Sequence, residues 1–277
     1  FVMNNPGSIG VFDSGYGGLT ILEGIRNKLP QYDYIYLGDN ARAPYGTRSF
    51  DVVYEFTWQA VKNLFNRGCN LVILACNTAS ARALRNIQQI NLPKEFPDRR
   101  VLGVIRPSVE KIGMLTQTKH VGILGTEGTI ISQSYPIEIA KLYPEITVTG
   151  EACPMWVPLI ENGEYDSDGA DFFVKKNIES LLKKDANIDT VLLACTHYSI
   201  MMKKIRKYLP ENISIVKQGD IVADSLCDYL LRHPEMNDVC TKNGHVEYFT
   251  TESPERFDKW TQMFFKEKIS TQRIHLD

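Results

Sequence analysis

Two segments, Leu71-Val-Ile-Leu-Ala-Cys76-Asn-Thr78-Ala-Ser80 and Thr190-Val-Leu-Leu-Ala-Cys195-Thr-His197-Tyr-Ser199, share one texture and each end in a cysteine followed by small polar residues. An unbroken Val/Ile/Leu run reads as a strand buried on both faces of a parallel sheet, and open α/β proteins carry their chemistry at the carboxyl end of such strands. A chain that does this twice is constrained to a repeated α/β architecture, with a thiol at the working edge of each half.

The elements around the two segments alternate accordingly. Ser8 to Phe12 reads as a strand entering a glycine-rich turn, Leu19 to Lys28 as a helix, and Tyr34 to Leu37 as a strand stopped by Gly38-Asp39. Val52, Val53, Phe56, Ala60, Val61, Leu64 and Phe65 recur at helical spacing from about Asp51 to Asn66, and Gly68 ends them before the Cys76 strand. A helix from about Ala79 to Gln89 follows. The order restarts with a strand at Val101 to Ile105 closed by Pro107, then a helix from about Val109, and then Val121-Gly-Ile-Leu124, which echoes Ile9-Gly-Val-Phe12. Helices at about Ile130 to Leu142 and Asp168 to Lys184 flank a strand near Ile146 to Thr149 and lead to the Cys195 strand. The tail, with strands at Ser214 to Val216 and Val246 to Phe249 and a last helix from Pro254 to about Phe265, is too small for a domain of its own. Because chain termini tend to lie close together, it is assigned to the first half. The expected fold is therefore two similar three-layer α/β domains with mainly parallel sheets, residues 1–97 plus 210–277 and residues 98–209.

Composition removes several functional classes. With 277 residues the chain buries a sizeable core, and 23% charged residues with a net charge of −2 give neither a disordered signature nor the excess positive charge of a nucleic-acid binder. The basic clusters Pro97-Asp-Arg-Arg100 and Lys203-Lys-Ile-Arg-Lys207 read as solvated faces. No run approaches about eighteen uninterrupted apolar residues, and Phe1 to Pro6 holds no basic region before the first strand, so a cytoplasmic protein without a membrane segment is expected. Cys69, Cys76, Cys153, Cys195, Cys227 and Cys240 are widely spaced in a long chain, which favours free thiols in a reducing compartment. With no CxxC pair, and only Cys195-x-His197 as a local ligand pair, no metal centre is expected.

The turn Asp13-Ser-Gly-Tyr-Gly-Gly18 has three readings. It is not GxGxxG and carries an aspartate where a phosphate needs none, which counts against a nucleotide. Its glycines can bring backbone N–H groups to a small anionic ligand at the start of the following helix, or Asp13 can simply cap that helix.

The paired cysteines pose the sharper question. A nucleophilic hydrolase needs one cysteine with a histidine, and a redox pair needs both in one motif, so neither explains a duplication. Moving a proton off one face of a carbon and onto the other requires two opposed acid/base groups, and a thiol with a free pKa of about 8.5 is close to the useful range for both tasks. The competing reading is that Cys76 and Cys195 are apolar strand residues, since thiols bury readily.

Asp13-Ser-Gly-x-Gly-Gly18, Pro44-Tyr-Gly46, Ala75-Cys-Asn-Thr-Ala79, Glu151-x-Cys-Pro154 and Cys195-Thr-His-Tyr198, in that order over most of the chain, resemble the glutamate racemases of the aspartate/glutamate racemase superfamily. The resemblance implies a cofactor-independent enzyme interconverting L- and D-glutamate for peptidoglycan. It further implies a homodimer whose two pseudo-twofold-related domains enclose the active site in the cleft between them. It makes Cys76 and Cys195 the two bases and Asp13, His197, Asp39 and Glu151 their polar partners. Ser14, Tyr45, Gly46, Asn77, Thr78 and Thr196 become substrate contacts together with Asp13 and His197, and Thr126 and Thr129 are second-half counterparts that equally suit helix capping. Ser199 and Arg106 depart from the family pattern, which usually has proline and an acidic residue there. An aspartate or broader amino-acid racemase would keep the cysteine pair and differ in pocket length. A two-lobed amino-acid binding protein of the periplasmic type would share the closure but want a signal peptide.

Overall fold

The apolar runs form strands because their branched side chains pack on both faces of a sheet sandwiched by helices. In the computed structural model, which describes residues 5–264 and 268–277, the first sheet contains β1 (Ile9–Asp13), β2 (Tyr34–Gly38), β3 (Leu71–Leu74), β4 (Arg100–Gly103), β9 (Val246–Thr250) and β10 (Thr271–Arg273) in the spatial order β10-β9-β2-β1-β3-β4. The second contains β5 (His120–Gly125), β6 (Thr147–Ala152), β7 (Thr190–Ala194) and β8 (Ser214–Val216) in the order β6-β5-β7-β8. Every pairing within both sheets is parallel. Phe1 to Asn4 and the Phe265 end of the last expected helix lie outside the described residues.

The order β2-β1-β3-β4 and the order β6-β5-β7-β8 are the same topology, so the internal duplication is visible strand by strand. In each, the first strand sends the chain to one side and then to the other, creating a switch point where the carboxyl ends splay into a crevice. Cys76 follows β3 and Cys195 follows β7, at equivalent positions of the two crevices.

Strand pairing places β4 and β8 in sheets other than the expected ones. Arg100–Gly103 pairs with β3 and completes the first sheet, so the repeat restarts at β5 and not at Val101. By the same logic Ser214–Val216 pairs with β7 and belongs to the second sheet, not to the first as expected for residues 210–277. A fourth strand in each repeat crosses back beside the third, and hydropathy alone does not say which sheet receives it. Of the tail, β9 pairs with β2, and β10, which has no apolar run to announce it, pairs with β9.

Two local readings also change. Pro107 does not close a strand; it lies in the first turn of the helix Ile105–Leu115, where a missing N–H costs no intrahelical bond. On that helix Arg106 reaches Glu110 at 2.8 Å and Glu138 at 3.7 Å, a solvated ion-pair cluster that accounts for an arginine at this position. The helix expected at Ala79 to Gln89 starts earlier, as Asn77–Arg82, and continues through short turns to Glu95.

Candidate active site

Ser14, Cys76, Thr126, Cys153 and Cys195, just past the ends of β1, β3, β5, β6 and β7, line a common cavity, and Asp13 lies behind that lining. β1 ends in Asp13, fully buried, whose Oδ2 accepts the backbone N–H groups of Gly15 and Gly18 at 3.0 Å each. Those donors are therefore committed to Asp13 and not presented to an external anion, which settles the glycine-rich turn as a carboxylate cradle. The turn's glycines are demanded by crowding. A Cβ on Gly18 would lie 2.3 Å from Asp13 Cβ, and one on Gly17 would lie 2.5 Å from Thr196 Oγ1 and 2.8 Å from the His197 backbone nitrogen. Gly17→Ala is accordingly expected to push the Cys195-Thr-His197 segment away from Asp13 and cut catalytic turnover at least tenfold while the protein stays folded. Wild-type turnover in that variant would mean the two halves tolerate separation here.

The halves touch at this edge. Thr196 Oγ1 donates to Asp13 Oδ1 at 3.4 Å, Gly128 N–H donates to the Gly46 carbonyl at 2.7 Å, and the Thr78 and Thr126 hydroxyls lie 2.9 Å apart. Between them lies a cavity of about 120 Å³. Cys76, Ser14, Tyr45, Gly46, Asn77 and Thr78 line it from the first half, and Cys195, Thr196 and His197 face them from the second. Thr126 also lines it, with Thr129 behind, its N–H donating to Thr126 Oγ1 at 3.2 Å. Cys153, Pro154, Val157 and Pro158 add a largely apolar wall.

Cys76 is the N-cap of the helix Asn77–Arg82: its Sγ accepts the Ala79 N–H at 3.4 Å and lies 3.6 Å from Ser14 Oγ. Burial pushes this thiol up to about 12, and the Asp13 carboxylate adds to the rise against the Ala79 N–H and Ser14 hydroxyl. At neutral pH Cys76 is thus a protonated thiol. Asp13 is itself raised by burial, partly offset by His197 and the two backbone donors.

Cys195 has a different neighbourhood. Its Sγ is 3.9 Å from His197 Nδ1, and His197 Nε2 meets Glu161 Oε1 at 2.5 Å. Burial alone would lower the histidine's pKa, but the Cys195 sulfur and the Glu161 carboxylate, one at each ring nitrogen, outweigh it and hold His197 well above its usual value. The raised value fixes the sign of a pH effect. The native state keeps the His197 proton after the unfolded chain has lost it, so this stabilisation is complete below about pH 6.5 and declines as pH rises through the folded value. Denaturant unfolding from pH 6 to pH 9 is expected to show that decline, and Glu161→Gln to flatten it; an unaltered slope in the variant would remove Glu161 as the cause.

Two expected partners are held elsewhere. Asp39 is buried behind the cavity wall, accepting from Tyr45 Oη, from Arg42 Nε at 2.7 Å and from Thr251 Oγ1 at 2.8 Å; it anchors Tyr45 and does not line the cavity. Glu151 points from β6 to the helix Asp168–Lys184, where Lys184 Nζ at 2.6 Å, Ser180 Oγ at 2.9 Å and Asn177 Nδ2 at 3.0 Å take its carboxylate. The structure thus removes Glu151 from the cavity, because that register turns its side chain toward the covering helix. The glutamate that lines the cavity itself is Glu127, while the carboxylate that serves His197 from behind is Glu161, last residue of the helix Trp156–Glu161. Its only sequence signal was being the next acidic residue after the Glu151-x-Cys-Pro154 motif, and a linear pattern does not choose between the two.

Comparison with known proteins agrees with this architecture. Residues 19–226 match the family described as Asp/Glu/Hydantoin racemase. A glutamate racemase of Roseobacter denitrificans is 40% identical over 276 residues, covering 95% of this chain and 98% of that protein. Among solved structures, a glutamate racemase isoform from Bacillus anthracis superposes with a TM-score of 0.86 at 32% identity, covering 97% of each chain. One from Francisella tularensis in complex with D-glutamate gives 0.86 at 32% identity, covering 100% of this chain and 99% of the other. On its duplicated sheets, its opposed cysteines and these similarities, the chain belongs to the glutamate racemase family.

Proposed function

We propose that this protein interconverts L- and D-glutamate without a cofactor, Cys76 and Cys195 acting as the two proton carriers on opposite sides of the α-carbon. The observation that carries the reading is that cysteines from equivalent strand ends of the two repeats line one small cavity. In one direction a thiolate takes the α-proton and the opposing thiol delivers its own to the other face; the two sulfurs end with exchanged protonation, and no other reactant is consumed. Burial keeps Cys76 as the thiol, the form that donates. His197, charged between Cys195 and Glu161, is a proton reservoir at the second sulfur. Hydroxyls of Ser14, Thr78 and Thr196, the Asn77 amide and backbone donors near Gly46 are the substrate-binding groups in this reading, and Asp13, behind the lining, acts by its charge beside Cys76 and by its hold on Thr196. As charge moves from carbon to the α-carboxylate, fixed donors around it stabilise the enolate-like state. Tyr45 is held for this task by Asp39.

The same reading makes the protein a cytoplasmic homodimer supplying D-glutamate for peptidoglycan, the dimer being carried by family resemblance. Among the described residues no helix is long and apolar enough to cross a membrane. The deciding experiment incubates metal-free protein with L-glutamate in D2O under reducing conditions. D-Glutamate carrying α-deuterium is expected; neither inversion nor exchange, with L-aspartate inert too, would leave a two-lobed binding protein. A single-chain mass by light scattering would overturn the dimer.

A further inference from the structure

Beside Cys76, three buried polar side chains form a closed circuit that joins the two repeats, with the Ser108 hydroxyl attached to it. Asn77 Nδ2 donates to Gln218 Oε1 at 2.6 Å, Gln218 Nε2 donates to Tyr135 Oη at 2.8 Å, and Tyr135 Oη donates back to Asn77 Oδ1 at 2.5 Å. Gln218 Nε2 also donates to Ser108 Oγ at 2.8 Å and approaches Asn77 Oδ1 at 3.1 Å, sharing its two protons among these acceptors. All four residues are at most 5% exposed. Asn77 starts the helix that follows Cys76, Ser108 and Tyr135 sit on helices beside the second sheet, and Gln218 opens the helix Gln218–Arg232 after β8.

A ring of two amides and a phenol could run in either direction, since each member both donates and accepts. Ser108 removes that freedom. Its hydroxyl proton is committed to the Val104 carbonyl at 2.7 Å, one turn back on its own helix, so toward Gln218 it can only accept. The Gln218 amide nitrogen must then face Ser108, which turns Oε1 to Asn77 and requires Nδ2 there. Tyr135, already accepting, gives its proton to Asn77 Oδ1. With Oδ1 occupied, Asn77 retains one Nδ2 proton with no protein acceptor among the described residues, and Asn77 lines the cavity.

We infer that Gln218, its polarity set by Ser108, is a positioning residue for substrate binding, holding Asn77 with its amide nitrogen as the donor toward a substrate carboxylate. The inference rests on the glutamate racemase reading. Without Gln218 the Asn77 amide loses the partner that distinguishes its two ends, and its oxygen can then face the carboxylate, a repulsive contact. Loss of one hydrogen bond to a charged group raises KM about tenfold. The protons move between sulfur and carbon elsewhere, so kcat stays within about threefold.

The test is steady-state kinetics on glutamate for wild type, Gln218→Met, Ser108→Ala, Asn77→Ala and the double variants. Gln218→Met is expected to raise KM about tenfold with kcat nearly unchanged, and to change KM less than about twofold when Asn77 is already alanine. An unaltered KM, a fall in kcat alone, or the same KM rise in the Asn77→Ala background overturns the role. If circular dichroism shows Gln218→Met unfolded, the smaller Ser108→Ala carries the test, with a KM rise that again vanishes in the Asn77→Ala background. Wild-type turnover of glutamate is the control: its absence overturns the functional reading, whereas its presence with an unmoved KM in the variants overturns the positioning role.

Discussion

Cys76→Ala and Cys195→Ala are each expected to lower racemisation in both directions by roughly 10²–10⁴-fold, the range a positioned proton carrier supplies. Racemisation needs both faces of the α-carbon served, so either single loss blocks both directions. The variants differ in what else they lose. Cys76 Sγ caps its helix through the Ala79 N–H, so Cys76→Ala is also expected to lose about 1 kcal/mol of stability, while Cys195→Ala removes no cap. Measuring α-proton exchange in D2O for each enantiomer separates base from bystander: a variant lacking one thiol can still exchange the α-proton for deuterium in the enantiomer whose proton faces the surviving one. Near-parent turnover in both directions by either variant would sink the two-thiol mechanism and return that cysteine to a packing role.

Asp13→Asn is expected to lower kcat by about 10²-fold with a smaller change in KM. The substitution is clean because the local hydrogen-bond pattern survives it. The asparagine oxygen can accept the Gly15 and Gly18 N–H groups, and its amide can donate to the Thr196 hydroxyl, which accepts as readily as it donates. Only the charge is removed. Since Asp13 contributes to the rise of the Cys76 pKa, its loss should also lower that value and speed alkylation of Cys76. Unchanged turnover would reduce Asp13 to the residue that shapes its turn.

Much of the fold was legible because buried parallel strands have to be apolar along their whole length. β1, β3 and β7 announce themselves in this way, and the matching cysteines after β3 and β7 made the duplication readable. Helices with one apolar stripe, Leu19–Lys28 and Asp168–Lys184, fell at their observed bounds for the same reason. β10, three residues with two exposed, had no such signal. Sheet membership of β4 and β8 was illegible too, because an apolar strand fits either sheet and only the crossover decides.

The amino-acid sequence by itself determined the α/β class, the repeat, and the two cysteines that reach the cavity from strand ends, Cys76 and Cys195, whereas Ser14, Thr78, Thr196 and His197 followed from the family resemblance. Position at the end of a strand is a local property, so local pattern is enough to find it. Tertiary structure alone decided which carboxylate serves His197. Glu151 opens the motif and Glu161 is the next acidic residue after it, yet β6 turns one toward Lys184 and a short helix carries the other to the imidazole. It also decided that the Asp13 turn spends its backbone donors on its own aspartate, and that Gln218 meets Asn77 across the join between repeats. Those outcomes depend on side-chain direction and on contacts between residues far apart in the chain, and hydropathy and spacing carry no information about either.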